Sequence, residues 1–163
     1  MSEESQSSLS AEHRTFPPDP AFTAQANGTA QMYADAADDY EGFWAQQATR
    51  ISWASEPTQT LDWSDAPFAK WYVGGTLNAA YNCVDRHVEA GNGDRVAIHF
   101  EGEPGDTQAI TYADLQDRVN KDANALESLG VRKGDTVAIY LPMIPEAVVA
   151  MLACARLGVP HSV

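Results

Sequence analysis

Two cysteines, Cys83 and Cys154, are all that 163 residues contain. They stand far apart and neither belongs to a CxxC pair, so a disulfide framework or a zinc ribbon does not organise this chain. Both are expected as small buried hydrophobes. Lysine is scarce too: Lys70, Lys121 and Lys133 are the three, and no basic stripe forms. With 10 Lys+Arg against 23 Asp+Glu the formal net charge is −13. Such a field repels phosphate backbones and anionic lipid headgroups, so neither nucleic acid nor membrane is expected as a partner. No apolar run approaches the roughly 20 residues of a membrane helix. The opening Met1-Ser2-Glu3-Glu4 is polar and acidic, unlike a secretory leader. The expected location is the cytoplasm. Few lysines and many aspartates also suit a salt-rich, halophilic cytoplasm, where screening relieves the self-repulsion.

What is present supports a packed core. Hydrophobic residues make up 44%, with four Trp, six Tyr and five Phe, which argues against wholesale disorder. Residues 1–28 are the exception, rich in Ser, Glu, Gln and Pro around Phe16-Pro17-Pro18-Asp19-Pro20. They read as a flexible acidic tail in which Phe16 and Phe22 are free to dock on a folded surface.

From Ala30 to Arg50 the spacing predicts one helix, with Met32, Ala36, Tyr40, Phe43 and Trp44 on one face. Residues 51–73 read as a loop that packs Trp53, Leu61, Trp63, Phe68, Trp71 and Tyr72 on something larger. A second helix is predicted from Asn78 to Glu89, with Leu77, Tyr81, Val84 and Val88 inward and Gly91-Asn92-Gly93-Asp94 ending it. Strands at 95–100 and 108–112 around the 102–106 turn form a hairpin. Thr111 then N-caps a helix, Asp114 completing a capping box, and Leu115, Val119, Leu126 and Leu129 form its apolar stripe up to Gly130. Residues 136–141 read as a buried parallel strand. Pro145 opens a helix that Gly158 closes, and a last strand begins at Val159. This order predicts an α/β layer. Its last strand has an open edge, so the expectation is of a chain that continues.

Several groupings invite a chemical reading. Gly74-Gly75 and Gly91-Asn92-Gly93 match neither GxxxxGK[ST] nor GxGxxG, so they read as turns rather than phosphate cradles. Cys83 and His87 lie four apart on one helix, as two metal ligands would, but no second ligand pair follows; a core cysteine beside a hydrogen-bonded histidine is the expectation. Asp85 and Arg86 read as a local ion-pair and capping network, with substrate binding as the alternative. His161-Ser162 point to opposite faces of a strand and have no acid to orient the histidine. The tryptophans Trp44, Trp53, Trp63 and Trp71 suit packing better than base stacking, given the acidic charge.

Two segments carry a resemblance. KWYVGGTLNAAYNCVDRHVEAGNGDRVAIHFEGE (70–103) and ITYADLQDRVNKDANALESLGVRKGDTVAIYLPMIPEAVVAMLACARLGVPHSV (110–163), with the weaker Phe43-Trp44, Trp53, Leu61 and Trp63 pattern before them, resemble the acetyl-CoA synthetases of the adenylate-forming superfamily. The Asn78, Asn82-Cys83 and Asp85-Arg86-His87 signature is typical of acetyl- and propionyl-CoA synthetases, so propionate is the alternative substrate. The resemblance implies a helical, aromatic-rich extension at 29–90 and the incomplete, truncated start of the AMP-binding large domain at 91–163. It implies an acetate–CoA ligase that uses ATP, CoA and Mg, with an acyl-adenylate intermediate. The family's phosphate loop, Thr-Glu motif, ribose-binding Asp and C-terminal lysine do not occur in these residues. No catalytic, cofactor-binding or metal position is therefore assigned, and the chain alone is expected to be inactive and to bind none of these groups. Docking to the rest of a ligase is the partner expectation; a non-catalytic truncated or interaction fragment is the rival.

Overall fold

A computed structural model describes residues 14–163. The first thirteen residues of the expected tail lie outside the described ones. The chain divides into two units, residues 1–43 and 44–163.

In the first unit, part of the segment expected to be flexible is helical. Asp19 caps a short helix α1 (Pro20–Ala24), its carboxylate accepting from the Ala21 and Phe22 amides. Phe16 and Phe22 remain exposed. The single helix expected over 30–50 is broken into α2 (Ala30–Asp38), capped by Thr29, and α3 (Tyr40–Ala48). The break is at Asp39, which leaves helical geometry at φ −134 and ψ 85. Its carboxylate accepts from the Gly42 amide at 2.9 Å, so an N-cap inside the periodic run restarts the helix.

In the second unit, the expected loop over 51–73 contains an antiparallel hairpin, β1 (Gln59–Asp62) with β2 (Lys70–Val73), paired as Leu61↔Trp71 and Asp62↔Lys70. Trp71 and Tyr72 lie at 5.9 Å between ring centroids, Trp53 sits 5.6 Å from Tyr72, and Trp44 meets Trp71 edge-on at 6.2 Å. The aromatic side chains stabilise the hairpin by packing on one another.

The Asn78 helix forms, but two of its turns are widened into π-helix, at Tyr81–Asp85 and Val88–Asn92. Gly91 ends the regular backbone with φ +80, which glycine adopts without steric cost. Val84 is fully buried, whereas Leu77, expected inward, is exposed.

The second hairpin, β3 (Val96–Glu101) with β4 (Thr107–Thr111), lies where expected and carries a bulge between Val96 and Ile98. Helix α4 (Tyr112–Ser128) follows at once. The Asp114 amide donates to the Thr111 hydroxyl at 3.1 Å, and the Thr111 amide donates back to the Asp114 carboxylate. Leu115 and Val119 are buried, but Leu129 is exposed because the helix has ended before it. Helix α5 (Pro145–Leu157) starts on its proline and ends at Gly158, which takes the left-handed conformation.

The parallel pair is shorter than expected: β5 (Val137–Ala138) meets β6 (His161–Ser162) over two registers. Only Ile139 of the apolar run is buried, and Tyr140 and Leu141 face solvent because β6 is the one strand that pairs with β5 among the described residues. Among the described residues the architecture is α/β, with three separate two-stranded sheets rather than one layer.

Two apolar clusters hold α4 against α5. One joins Val84, Ile110, Leu115, Val119 and Val149; the other joins Ile139, Cys154 and Val159, with Leu126 and Leu157 packed on it.

Candidate functional site

The residues 78–86 segment is where the structure gathers its long-range polar contacts. Asn78 begins the helix: its Oδ1 accepts from the Tyr81 amide at 3.0 Å. Its Nδ2 donates to the Arg156 carbonyl at 2.9 Å, satisfying one of the carbonyls left open in the last turn of α5. One turn on, Asn82 grips the backbone of Ser52 from both sides. Its Oδ1 accepts from the Ser52 amide at 2.8 Å, and its Nδ2 donates to the Ser52 carbonyl at 2.9 Å. A further turn on, Arg86 donates from Nη1 to the Arg50 carbonyl at 2.7 Å and from Nε to the Asn82 carbonyl at 2.8 Å.

Asp85 faces the other way. One carboxylate oxygen meets the Arg156 guanidinium at 2.5 Å and the other accepts from Gln116 Nε2 at 2.8 Å. The side chains of the pair are 16% and 19% exposed, so the attraction is screened little by solvent. One helix thus binds segment 50–52, the second turn of α4 and the end of α5.

Between these contacts lies an open cleft of about 540 Å³, lined by Ser52, Trp53, Ala54, Asn78, Tyr81, Asp85 and Arg156. The Tyr81 hydroxyl donates to Glu89 Oε2 at 2.7 Å, and that hydrogen bond holds its pKa above the ordinary tyrosine value. The cleft does not fit a triphosphate. Its one guanidinium is neutralised by Asp85, and Asn78 is spent on α5 backbone, so no unpaired positive charge faces the space.

The other residues singled out by sequence fall elsewhere. Cys83 is exposed rather than buried, since it lies off the helix face that carries Val84 into the core, whereas Cys154 is buried as expected. His87 packs its ring on Tyr112, with centroids 4.9 Å apart. No group of three or more His, Cys, Asp or Glu able to hold a metal occurs among the described residues. His161 and Ser162 are exposed on β6, with no link to the cleft. Gly74 turns the chain after β2 with φ +77, and Gly75 lies under Trp53, where a Cβ would come within 2.7 Å of the indole ring. Trp53 alone of the four tryptophans reaches the cleft; its Nε1 donates to the Ala48 carbonyl at 3.1 Å.

Asp85 and Arg86 belong to a polar network, but not to the local ion-pair and capping network expected: Asp85 pairs with Arg156 far along the chain, and Arg86 bonds carbonyls and not carboxylates. Four participants escaped the sequence reading, the Arg50 carbonyl among them, which carries no signal of its own. Gln116 carries no signal of its own. Arg156 offered one, a single cation in the last turn of an apolar helix. The backbone of Ser52 offered none.

Comparison with known proteins covers the same residues. A family described as acetyl-coenzyme A synthetase N-terminus matches residues 29–83, and one described as AMP-binding enzyme matches residues 84–163. The two matches meet inside the π-helical turn Tyr81–Asp85, where the helix runs on without a break. An acetyl-coenzyme A synthetase of Streptomyces avermitilis is 68% identical over the whole chain, and one of Streptomyces coelicolor 66%. One of Mycolicibacterium smegmatis is 67% identical over 91% of the chain. The chain spans 25% of the length of each Streptomyces relative and 16% of the third.

Proposed function

The chain belongs to the acetyl-coenzyme A synthetase family, and from that premise we propose that the protein carrying it joins acetate to coenzyme A, converting ATP to AMP and diphosphate. The observation that carries the reading is identity of 66–68% to acetyl-coenzyme A synthetases over all 163 residues. Residues 29–90 serve as the extension and 91–163 as the beginning of the AMP-binding domain of a longer enzyme. Propionate is the nearest alternative substrate.

Adenylation places negative charge around the α-phosphate, and stabilising it takes cations and backbone amides aimed at that point. ATP, coenzyme A and magnesium bind outside the cleft described above, which lacks such groups. The part of this chain is architectural: Asp85, Gln116 and Arg156 fix the relative placement of α4 and α5, and Asn82 with Arg86 holds residues 50–52 on the widened helix. By itself the chain is inactive.

A docking role for the β5–β6 end is favoured by a separate observation. Tyr140 and Met143 are 102% and 93% exposed beside a two-stranded parallel pair. An apolar edge of this kind suits further strands of the same enzyme. No helix among the described residues is long and apolar enough to cross a membrane. A cytoplasmic, salt-rich setting accords with the net charge of −13, which also disfavours nucleic acid and anionic membranes as partners.

The test is acetate-dependent exchange of diphosphate into ATP by the protein isolated from its source. Exchange with acetate, and less with propionate, supports the reading. Greater exchange with propionate moves the substrate within the family. No exchange with either carboxylate overturns it.

A further inference from the structure

The hairpin β1–β2 and the α4–α5 core are joined in an unusual way. Neither apolar cluster of the core includes a residue from 50–76. The hairpin packs its aromatic rings on one another, on Trp53 and on Trp44 of α3 instead, and Trp53 Nε1 donates to the Ala48 carbonyl of that helix. Between the two runs the segment 50–55, held at both ends by polar contacts. At its far end Ala54 donates to the Thr76 carbonyl at 2.7 Å and Thr76 donates to the Ser55 carbonyl at 3.0 Å, so this end belongs to the hairpin. At its near end the contacts are those of Asn82 on Ser52 and of Arg86 on Arg50. Asn82 there presents the donor and acceptor that a neighbouring strand would present, so it recognises main chain irrespective of side chain. Arg86 Nε, tied to the Asn82 carbonyl, holds the guanidinium in place for Arg50.

We propose that residues 50–55 are a strap latched to the widened helix by Asn82 and Arg86, and that opening this latch frees the hairpin as a unit while the α4–α5 core stays folded. Segments with few buried apolar contacts to their surroundings open independently and below the global unfolding free energy. Here three hydrogen bonds involving two side chains attach the segment to the widened helix, and bonds of this kind are within reach of thermal opening. The Asp85 contacts to Gln116 and Arg156 belong to the core side and stay closed when the strap lifts.

Amide hydrogen exchange of the full chain, read by mass spectrometry of peptides, tests the proposal. Asn82→Ala is expected to speed exchange in residues 51–62 and 70–76 by about tenfold or more, the factor that corresponds to about 1.4 kcal/mol. Exchange in α4 and α5 is expected to stay as in the unaltered chain. Arg86→Met, which leaves the Asn82 pair to Ser52 in place, is expected to give the same pattern at a smaller factor, and it carries the test if the Asn82 variant does not fold. Equal acceleration in the hairpin and in α4–α5 would show one cooperative unit and overturn the proposal. Unchanged exchange in the hairpin overturns it as well.

Discussion

Asp85 and Arg156 lie 71 positions apart in sequence and meet at 2.5 Å, with Gln116 donating to the second carboxylate oxygen. The contact closes a triangle of the widened helix, α4 and α5 beside the Val84 cluster. Breaking it leaves a largely buried cation without its partner, and the penalty exceeds that of a surface pair. Asp85→Ala is expected to destabilise the protein by about 2–3 kcal/mol, measured by denaturant unfolding. Arg156→Met is expected to cost less, because its methylene stem keeps packing and Asp85 keeps Gln116. A double-mutant cycle is expected to return a coupling of about 1–2 kcal/mol; additivity would show that the pair contributes nothing.

Gly75 and Trp53 set a steric relation that is as direct. A Cβ on Gly75 would stand 2.7 Å from the indole and 3.0 Å from the Tyr72 carbonyl. Gly75→Ala is expected to push Trp53 off Tyr72 and cost about 1–3 kcal/mol, as overpacking does. Tryptophan fluorescence of the native state will shift with it. An unshifted spectrum and unchanged stability would count against the packing described here.

Much of the fold was legible because its signals are local. The Thr111–Asp114 box, the proline at the head of α5 and the glycine at its end act within four residues, and each formed where the sequence put it. The Asp39 break was readable in principle, since aspartate prefers a cap to a helix interior, but the apolar stripe from Met32 to Trp44 runs straight through it. The β1–β2 hairpin was not readable: its strands lack alternation and form through Trp53, Trp71 and Tyr72 packing on one another. The exposure of Cys83 was readable, since the stripe of Leu77, Tyr81, Val84 and Val88 leaves it on the outer face, but cysteine's preference for the interior pointed the other way. Asp85 and Arg86 could be marked as network residues, yet their partners at 50, 116 and 156 are tertiary and leave no mark near them.

The two cysteines are expected to react at very different rates. Cys83 is exposed, whereas Cys154 is fully buried and its thiol pKa is raised by burial, so the thiolate needed for attack is disfavoured there. Alkylation of the native protein with iodoacetamide will modify Cys83 first, and Cys154 will follow only with unfolding. Equal labelling of both in the folded chain would contradict the burial of Cys154 against Ile139 and Val159.

Asp62 gives the β1–β2 hairpin a pH dependence with a defined sign. Hydrogen bonds from Ser64 hold its carboxyl below the ordinary pKa, with Lys70 across the strand pair adding a smaller effect at 3.8 Å. A depressed pKa means that the folded state favours the carboxylate. The contribution is complete above the unfolded pKa and fades as pH falls through the folded one, so the hairpin loosens in acid and not in base. A titration of the Asp62 carboxyl by NMR is expected to find its midpoint below that of an aspartate in an unstructured peptide. Ser64→Ala removes the hydroxyl but leaves the backbone amide, which donates to Asp62 Oδ1 at 3.0 Å. The midpoint in that variant will therefore rise only part of the way, and Lys70→Met will move it less still. A larger effect from Lys70 than from Ser64 would mean that the charge across the strands, and not the turn beside it, governs this carboxylate.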